Sequence, residues 1–267
     1  MKHPVGLKTL FFTEMWERMS YYGMRGILVL FMTASISNGG LDFNNASASA
    51  IYGIYAAAVY LATLPGGWIG DNILGQQKTI FYGGIIIMFG HLALAIPNMN
   101  FFYLGLIFVV LGTGLLKPNI SAIVGGLYEN NESKKEAGFT IFYMSINIGS
   151  ILGFFICGYL GENIGWHYGF SAAGIGMAFG LLQFILSKKN LGKIGLSPTV
   201  NLGLKERQKE IIILILLGLF ILTFLIMTIM GFWTLNPIPI ANGMTFFIML
   251  ISFIYFFYIF TFGKLIV

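Results

Sequence analysis

Runs of about 20 consecutive apolar residues recur along the chain, and no other feature limits its folding so tightly. Hydrocarbon offers the backbone no hydrogen-bond partner, so a run of that length is stable across a bilayer only as a helix that satisfies itself. The runs fall near 8–34, 50–70, 78–97, 101–124, 138–160, 166–187, 210–232 and 243–262, separated by polar or Gly/Pro breaks. They are continuous rather than short and alternating, which argues against barrel strands. The expected fold class is therefore an all-α membrane protein with about eight spans. Composition agrees: 57% of the 267 residues are apolar and 9% charged, too little polar surface to wrap a water-soluble globule. The single cysteine, Cys157, lies inside an apolar run, so a packing role is expected and no disulfide framework. The first run contains Glu14, Glu17 and Arg18 with no small-residue cleavage site after it, so it is expected to persist as a span.

The net charge of +5 could suit nucleic acid, but the positions of the basic residues argue for membrane topology instead. Eight crossings put both termini on one side. Segments sharing that side hold Lys2, Lys8, Lys78, Lys134, Lys135, Lys188, Lys189, Lys193, Lys205, Arg207, Lys209 and Lys264, whereas those near 35–49, 98–100, 161–165 and 233–242 hold no Lys or Arg. Both termini are thus expected in the cytoplasm, with the chain in the inner membrane. Residues 188–209 read as a basic cytoplasmic linker between a six-span unit, 1–187, and a final pair within 210–267. That pair is apolar all round and carries no internal charge, a composition for facing lipid.

Arg18, Arg25 and Lys117 remain inside spans, with Glu14 and Glu17, and a charge in lipid is costly enough that such groups face a bundle interior and pair. At ~100° per residue Glu14, Glu17, Arg18, Tyr21, Tyr22 and Arg25 fall within an arc of ~140°, a polar stripe expected to line a cavity. The alternative is a structural Glu/Arg network that locks helices together. Lys117 precedes Pro118, which weakens the fourth helix; its expected partner is Glu14 or Glu17, the alternative being a snorkelling lysine. On the fifth span Tyr143, Asn147 and Ser150 share a face at i, i+4 and i+7, a pattern that helix–helix hydrogen bonding also produces.

The turn after the second span reads Gly66-Gly67-Trp-Ile-Gly70-Asp71, with Gly75 and Lys78 beyond. This run, through Gly67, Asp71, Gly75 and Lys78, resembles the cytoplasmic loop motif of the major facilitator superfamily. Within that superfamily Glu14-Met-Trp-Glu17-Arg18 followed by Tyr21-Tyr22-Gly23 is similar to the ExxER and YYG signature of proton-dependent oligopeptide transporters. Phe142-Tyr143-Met-Ser-Ile-Asn147-Ile-Gly149-Ser150 resembles their helix 5 signature, and Met19 stands where they usually have Phe. The resemblance implies proton coupling by Glu14, Glu17, Arg18 and Lys117. It implies a peptide site lined by Tyr21, Tyr22, Arg25, Tyr60, Lys117, Tyr143 and Asn147, with Arg25 and Lys117 holding the peptide carboxylate and Asn147 its amino end.

The resemblance covers roughly 8–187, six helices of a twelve-helix core, and the final pair matches the two helices that bacterial members insert between their halves. A truncated or split transporter is therefore expected, partnered by a C-terminal half or by itself. Its substrates would be di- and tripeptides, with protons as coupling ion and no cofactor, metal or nucleic acid. A relative carrying another solute such as nitrate, and a nonfunctional remnant, are the alternatives. An intramembrane enzyme is disfavoured, because His3, His91 and His167 have no metal spacing and neither HExxH nor GxSxG occurs.

Overall fold

A computed structural model describes residues 3–129, 132–200, 203–229 and 236–262. Eight long helices run through them: α1 Val5–Thr33, α2 Asn45–Ile69, α3 Gln76–Leu94, α4 Met99–Gly126, α5 Glu132–Asn163, α6 Trp166–Ser187, α7 Leu204–Ile229 and α8 Pro237–Phe262. Each overlaps one expected span, and the described residues contain no strand. Among the described residues five segments, Asn45–Leu74, Met99–Gly126, Ser133–Asn163, Trp166–Leu191 and Pro237–Thr261, are long and apolar enough to cross a membrane by length and composition. Four helices start five or six residues before expectation. These are α2 at Asn45, α5 at Glu132, α7 at Leu204 and α8 at Pro237, and the early start of α7 makes the last part of the expected 188–209 linker helical. Lys2, Lys264, linker residues 201–202 and the 230–232 end of the seventh expected span lie outside the described residues.

Helix starts follow local chemistry. Asn44 caps α2 by accepting from the Ser47 amide at 2.8 Å, and Asn98 caps α4 by accepting from Asn100 at 2.9 Å. Helix α1 packs between α5 and α6, while α3 lies against α4 and α6, and α2 against α4. The interior forms two apolar clusters. One gathers Met24, Leu28, Phe31, Phe102 and Phe170; the other gathers Leu10, Ile80, Leu116, Phe142 and Phe184. Along α1 the ionisable stretch 14–18 falls between Leu10 of one cluster and Met19 of the other. The final pair is peripheral. Helix α8 touches α2, α7 touches the turn after α2, and Phe246, Phe253 and Phe260 of α8 are exposed, in keeping with lipid contact.

The segment between α6 and α7 differs from a free spacer. After a short 3-10 turn, Lys188–Leu191, it runs as a strap across the ends of α1 and α3. Gln77 does most of the fastening: its amide N–H donates to Gly195 O at 2.8 Å, and its Nε2 donates to Ile194 O at 2.7 Å and Gly192 O at 3.3 Å. Those carbonyls have no helix ladder to join, so the Gln77 main-chain amide satisfies one and its side-chain amide the other two. Leu191 is buried beneath the strap, Asn190 bonds Thr9 on α1, and Arg207 of α7 donates to Ile73 O at 2.6 Å. Composition revealed the lysines of this segment and not the backbone contacts that hold it.

Candidate functional site

The polar stripe of α1 divides into a sealed part and an open part. Glu14, Glu17 and Arg18 are 3%, 0% and 3% exposed, and Tyr21 is buried with them. The expectation that the whole stripe lines a cavity is therefore corrected: only Tyr22 and Arg25, both half-buried, remain accessible. Arg18 Nε stands 3.0 Å from Glu14 Oε1 and also pairs with Glu17 Oε2, so one guanidinium serves two carboxylates. The same guanidinium lies over the Tyr21 ring at 5.1 Å. Tyr21 meets Tyr22 edge-on at 5.3 Å and stacks on Tyr55 at 6.4 Å, carrying the cluster across to α2.

Close approach of α5 fixes this part of α1. A Cβ placed on Gly149 would lie 2.9 Å from Arg18 Cβ and 3.0 Å from the Met19 amide nitrogen, and one on Gly153 would lie 2.7 Å from Gly23 N. Side chains at either position would wedge the helices apart, so Gly149 of the helix 5 signature and Gly153 beyond its end set the depth at which Arg18 sits. Cys157, fully buried beside Gly23 with a free thiol, has the packing role expected of it.

The two other cations each rest on a tyrosine. Arg25 Nε donates to the Tyr52 hydroxyl, with its Cζ 5.1 Å from that ring's centre. Lys117 Nζ lies 4.6 Å over the ring of Tyr60. This corrects the expected pairing of Lys117 with Glu14 or Glu17: among the described ion pairs both glutamates belong to Arg18, although Lys117 is within electrostatic range of both. The physical reason is reach. Arg18 lies one helical turn from Glu14 and directly follows Glu17 on α1, whereas Lys117 comes from α4, where the Tyr60 ring holds its ammonium without an ion pair.

Tyr60, Tyr143 and Asn147 are exposed, so they occupy open surface rather than a closed pocket. Tyr143 leans on Phe139 and Phe142, Ser150 donates its hydroxyl to the Asn147 backbone carbonyl at 2.8 Å, and Asn147 itself is exposed. At the loop motif, Gly75 holds a left-handed φ of 82°, and a Cβ there would also lie 2.8 Å from Leu196 O. Asp71 Oδ1 accepts from Gln76 Nε2 at 3.0 Å and from Thr199 Oγ1 at 3.2 Å, and its carbonyl accepts from Val200 N. Gly67 packs on Pro118, and Lys78 is exposed. Sequence reading missed Tyr52 and Tyr55, whose spacing on α2 with Tyr60 was the available signal, and it missed Thr199, which carries none.

A family model described as the POT family matches residues 77–202. A peptide transporter of Yersinia enterocolitica, YePEPT, is 40% identical over 271 residues, covering 98% of this chain and 53% of its own length. A di-/tripeptide transporter of Lactococcus lactis is 43% identical, covering 94% of this chain and 50% of its own. Among solved structures, the peptide transporter POT in complex with sulfate superposes with a TM-score of 0.86 at 42% identity, over 98% of this chain and 54% of that one. The chain spans about half the length of the curated relatives it matches. Helix order, the paired charges of α1 and these likenesses agree, and the chain belongs to the POT family.

Proposed function

We propose that these residues form the N-terminal half of a proton-coupled symporter for di- and tripeptides in the cytoplasmic membrane, with both ends and the strap in the cytoplasm. The Glu14–Arg18–Glu17 cluster carries the reading. Two carboxylates around one guanidinium pass from a net negative charge to neutrality on taking up one proton, a change that a dry interior makes energetically large. Glu14 Oε2, Glu17 Oε1 and Arg18 Nη2 are buried without a hydrogen-bond partner among the described residues.

Arg25 and Lys117 supply the peptide end of the argument. Each is half-buried against a tyrosine, shielded on one face and free on the other, which suits capture of a peptide carboxylate. Exposed Asn147 suits a peptide amino group, and tyrosine surfaces tolerate varied side chains between the ends. The printed names of the Yersinia and Lactococcus relatives, a peptide and a di-/tripeptide transporter, support this substrate class. Protons are the one coupling species the reading needs. We assign the opposing wall to a C-terminal six-helix bundle or, in its place, to a second copy of this chain.

The test is reconstitution of these residues with a C-terminal half in liposomes under an inward proton gradient. Concentrative uptake of a labelled dipeptide, collapsed by a protonophore, is expected. Uptake indifferent to the protonophore contradicts the coupling, and nitrate uptake without dipeptide uptake contradicts the substrate class.

A further inference from the structure

Two residues beyond Lys117, the side chain of Asn119 is 1% exposed and reaches from α4 to α2. Its Nδ2 donates to Gly66 O at 2.9 Å across the helix gap and to Leu115 O at 2.7 Å on its own helix. The gap is narrow. A Cβ on Gly70 would lie 2.6 Å from Asn119 Cγ and 3.0 Å from its Nδ2, and a Cβ on Gly114 would lie 2.6 Å from Ala62 Cβ. Each helix contains a proline at this level, Pro65 in α2 and Pro118 in α4. A proline removes one rung of the helix ladder and loosens the turn around it, so neither helix alone fixes the height at which the two cross.

That height decides where Lys117 meets Tyr60. Tyr60 lies six residues before Gly66 on α2, and Lys117 two before Asn119 on α4, so the Asn119–Gly66 bond ties together the segments that carry ring and ammonium. A lysine on a loosened helix otherwise extends its flexible stem toward water. We propose that Asn119 is a positioning residue: its amide bridge to Gly66 O sets the α2–α4 crossing, holds the Lys117 ammonium over Tyr60, and so presents that cation to the peptide carboxylate. The last clause rests on the transport reading; the geometric clauses do not.

Two measurements separate these. In the first, the purified chain in detergent micelles is treated with acetic anhydride, and acetylation of Lys117 is followed by mass spectrometry against exposed Lys205. Asn119→Ala and Gly70→Ala, which remove or crowd the same amide, are each expected to raise Lys117 labelling about two- to thirtyfold, the span of a lost cation–π contact. Gly125→Ala, on α4 with open space at its Cβ, is expected to leave it unchanged. Unaltered labelling in both test variants, with helix content retained, overturns the positioning role.

In the second, a complete transporter containing these residues is assayed for dipeptide uptake. Asn119→Ala is expected to raise KM about three- to tenfold with kcat little changed, and to add nothing in a Lys117→Ala background, because its effect runs through that lysine. Additive losses would mean that Asn119 only packs helices, which overturns the proposal. A wild-type transporter that takes up no dipeptide would refute the transport reading alone, since labelling reports the geometry independently.

Discussion

Replacing Gly149 with alanine tests whether α1 and α5 are as close as the charge cluster requires. The added Cβ would collide with the Met15 carbonyl, stand 2.9 Å from Arg18 Cβ and 3.0 Å from Met19 N. Two of these obstacles are backbone atoms, so no side-chain rotation relieves them and α1 itself must move. Overpacking of this kind costs about 1–3 kcal/mol, against which the better helix propensity of alanine returns about 1 kcal/mol. Collision with backbone puts the cost in the upper part of that range, about 2–3 kcal/mol, so the net expectation is a loss of about 1–2 kcal/mol, or a fall in Tm of roughly 2–8 °C at this chain length. Gly53 on α2 has nothing within 4 Å of its Cβ position, so Gly53→Ala retains only the propensity gain and is expected to raise Tm. Thermal unfolding of the two variants in the same detergent gives opposite signs if the packing is right. A Tm for Gly149→Ala that rises as Gly53→Ala does would refute it, and with it the claim that α5 sets the depth of Arg18.

In a complete transporter containing these residues, Lys117→Ala and Arg25→Ala should each weaken dipeptide uptake by about tenfold or more at matched expression, read from initial rates, because each removes a cation available to a carboxylate in a low-dielectric setting. Gln77→Ala removes the side-chain bonds that fasten Gly192 and Ile194, and at about 1 kcal/mol for such bonds should speed cleavage at exposed Lys193 by a lysine-specific protease about five- to tenfold, measured by gel densitometry. A cysteine introduced at Ser197 should resist an impermeant thiol reagent added outside intact cells and react once the membrane is opened, since the strap is assigned to the cytoplasm.

Helix number and the polar stripe of α1 were legible because they depend on local chemistry. Apolar run length sets a span, and a 3.6-residue period puts Glu14, Arg18 and Tyr21 on one side. What escaped the sequence depends on distances between helices. The sealing of Glu17 and the contact of Lys117 with Tyr60 both follow from how near α5 comes to α1 and α2 to α4, which glycines 149, 153, 66 and 70 permit but do not announce. Nothing in the sequence around Asn119 signals a role, because its partner, Gly66 O, lies across the gap on another helix. The strap escaped for a related reason: its lysines dominate its composition, whereas its hold comes from backbone carbonyls and one glutamine.

The central claim is that the buried carboxylates of α1 carry the coupling proton, and Glu17→Gln in a complete transporter tests it most directly. Glutamine keeps the shape and the contact with Arg18 but cannot ionise. Labelled dipeptide is followed in proteoliposomes in two modes: accumulation under an inward proton gradient, and counterflow without one. Accumulation is expected to be abolished while counterflow persists at a substantial fraction of the wild-type rate. Equal loss of both would make Glu17 a structural member of the cluster, and undiminished accumulation would contradict the account outright.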